Sequence, residues 1–85
     1  PFPSLTEERR QELVTECKDY AEGARTGIRN IRRDSNSQVD KVGKEENLSE
    51  DEQRKAQDKI QEITDTYIDK INSLLDSKEA EVMEI

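Results

Sequence analysis

The chain has 85 residues, of which 41% are charged and 29% are hydrophobic, and its formal net charge is -7. This length allows one small domain, and the composition is typical of long solvated helices with narrow apolar stripes, so an all-β or α/β domain is excluded. There is no apolar run of about eighteen residues and no signal-like segment, and Cys17 is the only cysteine. These features predict a cytoplasmic protein without an internal disulfide.

A first helix is predicted over residues 6–42. Residues 1–5 contain two prolines and are interpreted as the end of a hinge or linker, because proline biases the residue before it toward extended geometry. Ser4 with Glu7 fits a capping box, and Thr6 is a rival N-cap. Small and apolar residues then recur at steps of three and four, which places them on one helix face. They are Leu13, Cys17, Tyr20, Ala24, Ile28, Ile31, Ser35, Val39 and Val42.

A chain reversal is predicted at residues 43–48, where the apolar period is lost and a glycine and an asparagine occur. Ser49 and Glu52 then form a capping-box pattern, so a second helix is predicted over residues 49–84. Its apolar stripe consists of Ala56, Ile60, Ile63, Tyr67, Ile71 and Leu74, is flanked by Ile68 and Leu75, and runs on toward Val82 and Met83. The predicted fold class is all-α, a long antiparallel helical hairpin.

A hairpin of this length shields its apolar stripes on one side only. We therefore expect residues 6–85 to be an incomplete helical-bundle domain. Either a third helix from elsewhere in a larger protein completes the bundle, or two hairpins pair into a four-helix bundle.

The basic residues of the first helix depart from the acidic background. Residues 25–33 contain Arg25, Arg29, Arg32 and Arg33 and no acid. At about 100° per residue these side chains follow one flank of the apolar stripe, and we expect them to face solvent in the bundle. Arginine is suited to phosphate because its planar fork offers paired donors and keeps its charge.

Arg10 lies on the same side of the predicted helix, closer to the apolar stripe. The alternative role for the arginines is in helix-surface ion pairs with Glu22 or with the acidic second helix, each worth about 0.3–0.5 kcal/mol. Charge runs are usually solvated faces, so composition alone favours this alternative.

Several segments resemble the carboxy-terminal half of bacterial-type ribosome-recycling factors. They are residues 5–10, 24–25, 28–34, 48–52 and 78–83, which read LTEERR, AR, IRNIRRD, LSEDE and KEAEVM. The resemblance extends over all 85 residues without an evident gap, and its RNIRRD core is specific. Thr26, Gly27 and Ser35 depart from the family pattern, in which small or aliphatic apolar residues are expected, and a glycine inside a helix costs about 1 kcal/mol relative to alanine.

The resemblance implies that the hairpin is helices two and three of an elongated three-helix bundle, without helix one and the α/β domain inserted after it. It implies binding to large-subunit ribosomal RNA and, in the complete protein, dissociation of post-termination ribosomes together with elongation factor G. The RNA-binding residues that it implies are Arg10, Arg25, Arg29, Arg32 and Arg33. Asn30 matches the family as well, and its amide has either an RNA-binding or a packing role.

No enzymatic function is predicted. The chain has no histidine, so Ser-His-Asp and Cys-His catalysis are excluded, and no catalytic residue, metal site or cofactor is expected. Cys17 lies on the apolar stripe and is interpreted as a small buried side chain. The alternative to a translation-factor fragment is a truncated or engineered helical scaffold or dimerisation module without recycling activity.

Overall fold

The computed structural model describes residues 5–84, which form two helices joined by a short turn. Helix α1 is Glu7–Glu45 and helix α2 is Glu50–Glu84. The helices lie antiparallel in a rod of 68 × 16 × 15 Å, which confirms the predicted all-α hairpin. Apart from Leu5, the predicted linker lies outside the described residues. Within residues 5–84, neither helix has an apolar stretch long enough to cross a bilayer.

Both helices begin at hydrogen-bonded N-caps. Thr6 caps α1, because its Oγ1 accepts a hydrogen bond of 3.0 Å from the backbone N–H of Arg9. The rival cap, Ser4, lies outside the described residues. At the start of α2, the N–H of Glu52 donates to Ser49 Oγ and the N–H of Ser49 donates to Glu52 Oε2, both at 3.1 Å. The predicted Ser49–Glu52 capping box is therefore confirmed.

The left-handed residue of the turn lies inside the predicted reversal segment, but helix α1 extends into that segment. Helix α1 continues through Gly43 and ends at Glu45, three residues beyond the predicted end. The left-handed residue is Asn47, with φ 52°, and the N–H of Leu48 donates to Gly43 O at 2.9 Å. An asparagine or glycine in this conformation, followed by a bond back to the last turn, is a common way to end a helix.

Gly43 has a packing role at the closed end of the hairpin. The Gln53 side chain lies against it, and Gln53 Nε2 donates to Leu48 O at 3.2 Å. A Cβ added at Gly43 would lie 2.5 Å from Gln53 Cδ, whereas a Cβ at Gly27 would meet nothing within 4 Å. The two glycines therefore differ: Gly43 makes room for the partner helix, and Gly27 only weakens α1.

The hairpin has almost no enclosed core. Among residues 5–84 only Ala21, Gly43 and Thr64 are buried, and the helices meet along these small side chains. Tyr20 is 82% exposed and Ile31 is 66% exposed, although both belong to the predicted apolar stripe. One side of the contact is therefore an apolar channel, here named the open groove. It is lined by Cys17, Tyr20, Ala24, Ile28, Ile31, Ser35, Val42, Ile60, Ile63, Tyr67, Ile71 and Leu74.

We expect Gly27→Ala to raise the free energy of unfolding by about 1 kcal/mol, because alanine favours the helix by that amount and the added methyl meets no neighbour. Gly43→Ala should lack this gain, because its Cβ displaces Gln53 from its hydrogen bond to Leu48. Denaturation followed by circular dichroism measures both values. Equal stabilisation by the two substitutions would contradict the packing role of Gly43.

Candidate nucleic-acid interface

Helix α1 carries all five predicted RNA-binding arginines, here together named the basic row. Its members are Arg10, Arg25, Arg29, Arg32 and Arg33. Arg33 is exposed, whereas the other four are half-buried. The prediction that these arginine side chains face solvent is therefore fully correct only for Arg33.

The position of the helix contact explains this partial burial. On α1 the contact passes through Ala21 and Gly43, with the open groove on one side and Arg25 and Arg29 on the other, whereas Arg32 lines the groove itself. Arg25 lies four residues after Ala21, so it is on the same side of the helix, next to the contact. The sequence places arginines and apolar residues on adjacent faces but does not determine where α2 lies between them.

Arg25 links the two helices. Its Nε donates to Asn72 Oδ1 of α2 at 3.0 Å, and its Nη1 lies 2.9 Å from Glu22 Oε2 of α1. Only 19% of the Arg25 side chain is exposed. A guanidinium that is covered in this way and bonded on two sides is fixed in orientation.

Glu22 also contacts a second arginine. Its Oε1 lies 3.5 Å from Arg29 Nη1, while its Oε2 contacts Arg25. The Glu22 side chain is 60% exposed and that of Arg29 is 43% exposed. Ion pairs this open to water contribute about 0–1 kcal/mol, so Glu22 orients the two arginines more than it stabilises the fold.

Arg33 and Asn30 form a local pair on the exposed surface. Arg33 Nη1 donates to Asn30 Oδ1 at 3.2 Å, and both residues are exposed. Asn30 therefore does not pack between α1 and α2. Its amide lies beside the basic row instead, next to the most exposed arginine.

Arg10 and Arg32 make no ion pair with any carboxylate of residues 5–84, and the same is true of Arg33. Arg10 Nε is buried and has no hydrogen-bond partner within the described part of the chain. Arg32 borders the middle of the open groove, near Ile28 and Ile60. These three guanidinium groups keep donors that can bind an external anion.

The alternative interpretation of the arginines is thus correct for part of the row. Arg25 and Arg29 do pair with Glu22, as a solvated charge run would. The rest of the row, described above, has no such partner among residues 5–84. Ion pairing inside the hairpin therefore does not account for the basic row as a whole.

Asn72 is the residue of this region that sequence reasoning missed. It contacts Arg25 across 47 positions of the chain. A second such hydrogen bond, from Gln57 Nε2 to Asp40 Oδ1 at 2.9 Å, lies nearer the turn. The sequence shows that Asn72 is a polar residue next to Ile71, at the edge of the apolar stripe of α2. That it contacts Arg25 can be known only once the pairing of the two helices is known.

The fold and this surface define one class of protein: an all-α bundle component with an unfilled apolar channel and an arginine-bearing flank. A family model described as ribosome recycling factor matches residues 1–83. Ribosome-recycling factors from Halorhodospira halophila, Cupriavidus taiwanensis and Methylobacillus flagellatus are 49%, 47% and 47% identical to the chain over all 85 residues.

The chain belongs to the ribosome recycling factor family. In each of these three comparisons the match covers 100% of the chain and 46% of the relative. The chain therefore spans about half the length of the curated relatives that it matches. The resemblance inferred from the arginine core and its flanking segments is confirmed.

We expect Arg25→Ala to lower the free energy of unfolding by about 1–2 kcal/mol, because it removes a half-buried side chain and its hydrogen bond to Asn72. Arg33→Ala should change it by no more than about 0.5 kcal/mol, since Arg33 is exposed and contacts only Asn30 on its own helix. Urea denaturation of the two variants gives this comparison. Similar losses for both would contradict the linking role of Arg25.

Proposed function

We propose that the hairpin is part of the ribosome-binding bundle of a recycling factor and that its basic row contacts large-subunit ribosomal RNA. In the complete protein this bundle acts with elongation factor G to separate post-termination ribosomes in the cytoplasm, without chemistry of its own. One observation carries the proposal: no carboxylate of residues 5–84 forms an ion pair with the guanidinium groups of Arg10, Arg32 and Arg33.

The charge distribution supports phosphate as the ligand. The chain has a net charge of -7, so at long range it repels RNA. At physiological salt this repulsion is screened beyond about 8 Å, while charges in direct contact are screened less. Short-range bonds from arginine forks can then fix the hairpin on a phosphate backbone, and the acidic surface disfavours binding in other orientations.

The open groove supports a third helix as the missing partner. Exposed apolar side chains such as Tyr20, Ile31 and Leu74 line a channel along both helices, which is the arrangement that a bundle core requires. Because the relatives are about twice as long as the chain, the remaining half of such a protein has the length to supply this helix. We propose that a first helix fills the groove, and that the inserted α/β domain carries much of the contact with elongation factor G.

A dimerisation module is the second candidate function. The same open groove favours it, because two hairpins facing each other would cover both channels. In this case the 85-residue chain would be a scaffold that retains RNA affinity at most and has no recycling activity.

Replacing Arg32 by alanine should weaken binding to large ribosomal subunits, because one phosphate contact is lost. The slope of the logarithm of the binding constant against the logarithm of the salt concentration should become shallower by about one. Binding is measured over a salt series with bacterial large subunits. Arg54→Ala is the matched control, since Arg54 is an exposed arginine of α2 that pairs with Asp51 at 2.7 Å. A loss on Arg32→Ala that is the same at every salt concentration would contradict a phosphate contact.

A charged residue in the open groove should show whether a third helix or a second copy of the hairpin covers it. Ile31→Glu should leave the isolated hairpin helical, since Ile31 is 66% exposed there, but should destabilise the complete protein by about 2 kcal/mol or more, because the carboxylate would be buried under the added helix. Thermal denaturation of both forms, with the exposed Ser73→Glu as control, tests this expectation. If the complete protein is unaffected, the groove is not covered in it. A hairpin that sediments as a dimer, and becomes monomeric on Ile31→Glu, would favour the dimerisation module.

A further inference from the structure

We infer that Asn72 of α2 is a positioning residue for the basic row: it fixes Arg25, which through Glu22 holds Arg29 in place to bind phosphate. This inference rests on the proposed function. The four side chains form a continuous hydrogen-bonded and ion-paired series, in the order Asn72, Arg25, Glu22, Arg29.

The series begins with a directional bond between the helices. Arg25 Nε donates to Asn72 Oδ1 at 3.0 Å, so the guanidinium plane of Arg25 is set by a residue of α2. The covered Arg25 side chain has little surface left for an external ligand. Within the basic row, Arg25 therefore joins the helices, and the contacts to RNA phosphate fall to the other four arginines.

Glu22 passes this constraint to Arg29. Each carboxylate oxygen serves a different arginine, Oε2 at 2.9 Å from Arg25 Nη1 and Oε1 at 3.5 Å from Arg29 Nη1. Arg29 is the most open arginine of the series, and only one of its nitrogen atoms faces Glu22. Its remaining N–H groups are available to a phosphate oxygen.

Prior orientation matters for a side chain of this kind. An arginine loses rotamer entropy when it is fixed, and a guanidinium that is already oriented loses less of it on binding. Glu22 lies on the same helix as both arginines and is itself largely exposed, so it cannot fix their position relative to α2. Asn72 supplies that link.

The hairpin contains a matched bond that lacks an arginine. Within residues 5–84, two side-chain hydrogen bonds join α1 to α2, one from Arg25 to Asn72 and one from Gln57 to Asp40. Each joins a half-buried side chain, Arg25 or Gln57, to an exposed one, Asn72 or Asp40, and their lengths are 3.0 and 2.9 Å. Removing the second bond therefore tests a general loss of helix pairing without disturbing the basic row.

The experiment compares Asn72→Ala with Gln57→Ala in binding to bacterial large ribosomal subunits over a salt series, with helicity and thermal midpoint as folding checks. We expect Asn72→Ala to weaken binding roughly two- to tenfold, the size of one hydrogen bond, without changing the salt dependence, because no phosphate contact is removed. Gln57→Ala should bind as the unsubstituted chain does. Arg25→Lys should resemble Asn72→Ala, since lysine keeps the charge but cannot donate from two fixed nitrogen atoms.

Other results would overturn the inference. Equal affinities for Asn72→Ala and Gln57→Ala at matched helicity would show that the bond to Arg25 does not position the row. A shallower salt dependence for Arg25→Ala than for Asn72→Ala would make Arg25 a phosphate contact, which contradicts its linking role. Failure of the proposed function is distinguishable, because then Arg32→Ala would also leave binding and its salt dependence unchanged.

Discussion

The line along which α1 meets α2 determines the role of every other surface of the hairpin. It passes through the small residues Ala21, Gly43 and Thr64, with the open groove on one side and Arg25 and Arg29 on the other. A helix fixes the angular order of its faces. Rotating α1 one way about its axis would cover the open groove and expose the residues of the present contact, and rotating it the other way would cover Arg25 and Arg29 further. The open groove and the basic row therefore have one structural cause.

The energetics of the hairpin follow from the same line of contact. Little apolar surface is enclosed, since no side chain of residues 5–84 is completely buried. The ion pairs of the basic row are weak because they share the largely exposed carboxylate of Glu22. The helix caps contribute about 1 kcal/mol each. Most of the stability of such long helices has to come from packing, so a third apolar surface in the groove would strengthen the fold more than any surface contact.

The sequence predicted those features that depend on local order along the chain. Apolar spacing gave two helices and their antiparallel pairing, and Ser49 with Glu52 gave the start of α2. The structure ends α1 three residues later than predicted, because Gly43 lies inside the helix, where its lack of a side chain makes room for Gln53. The partial burial of Arg25 and its bond to Asn72 could not be predicted, because both depend on where α2 crosses the face of α1. The RNA-binding roles and the missing first helix stay predictions.

The distribution of the bonds between the helices has a mechanical consequence. The turn, the Asp40–Gln57 bond and the Arg25–Asn72 bond all lie in the part of the rod between the closed end and Asn72. From there to Glu84, a length of about 18 Å at 1.5 Å per residue, no side-chain hydrogen bond of the described residues ties α2 to α1. At this end of the hairpin, another helix can therefore pack against α1 and α2 without displacing a polar link between them.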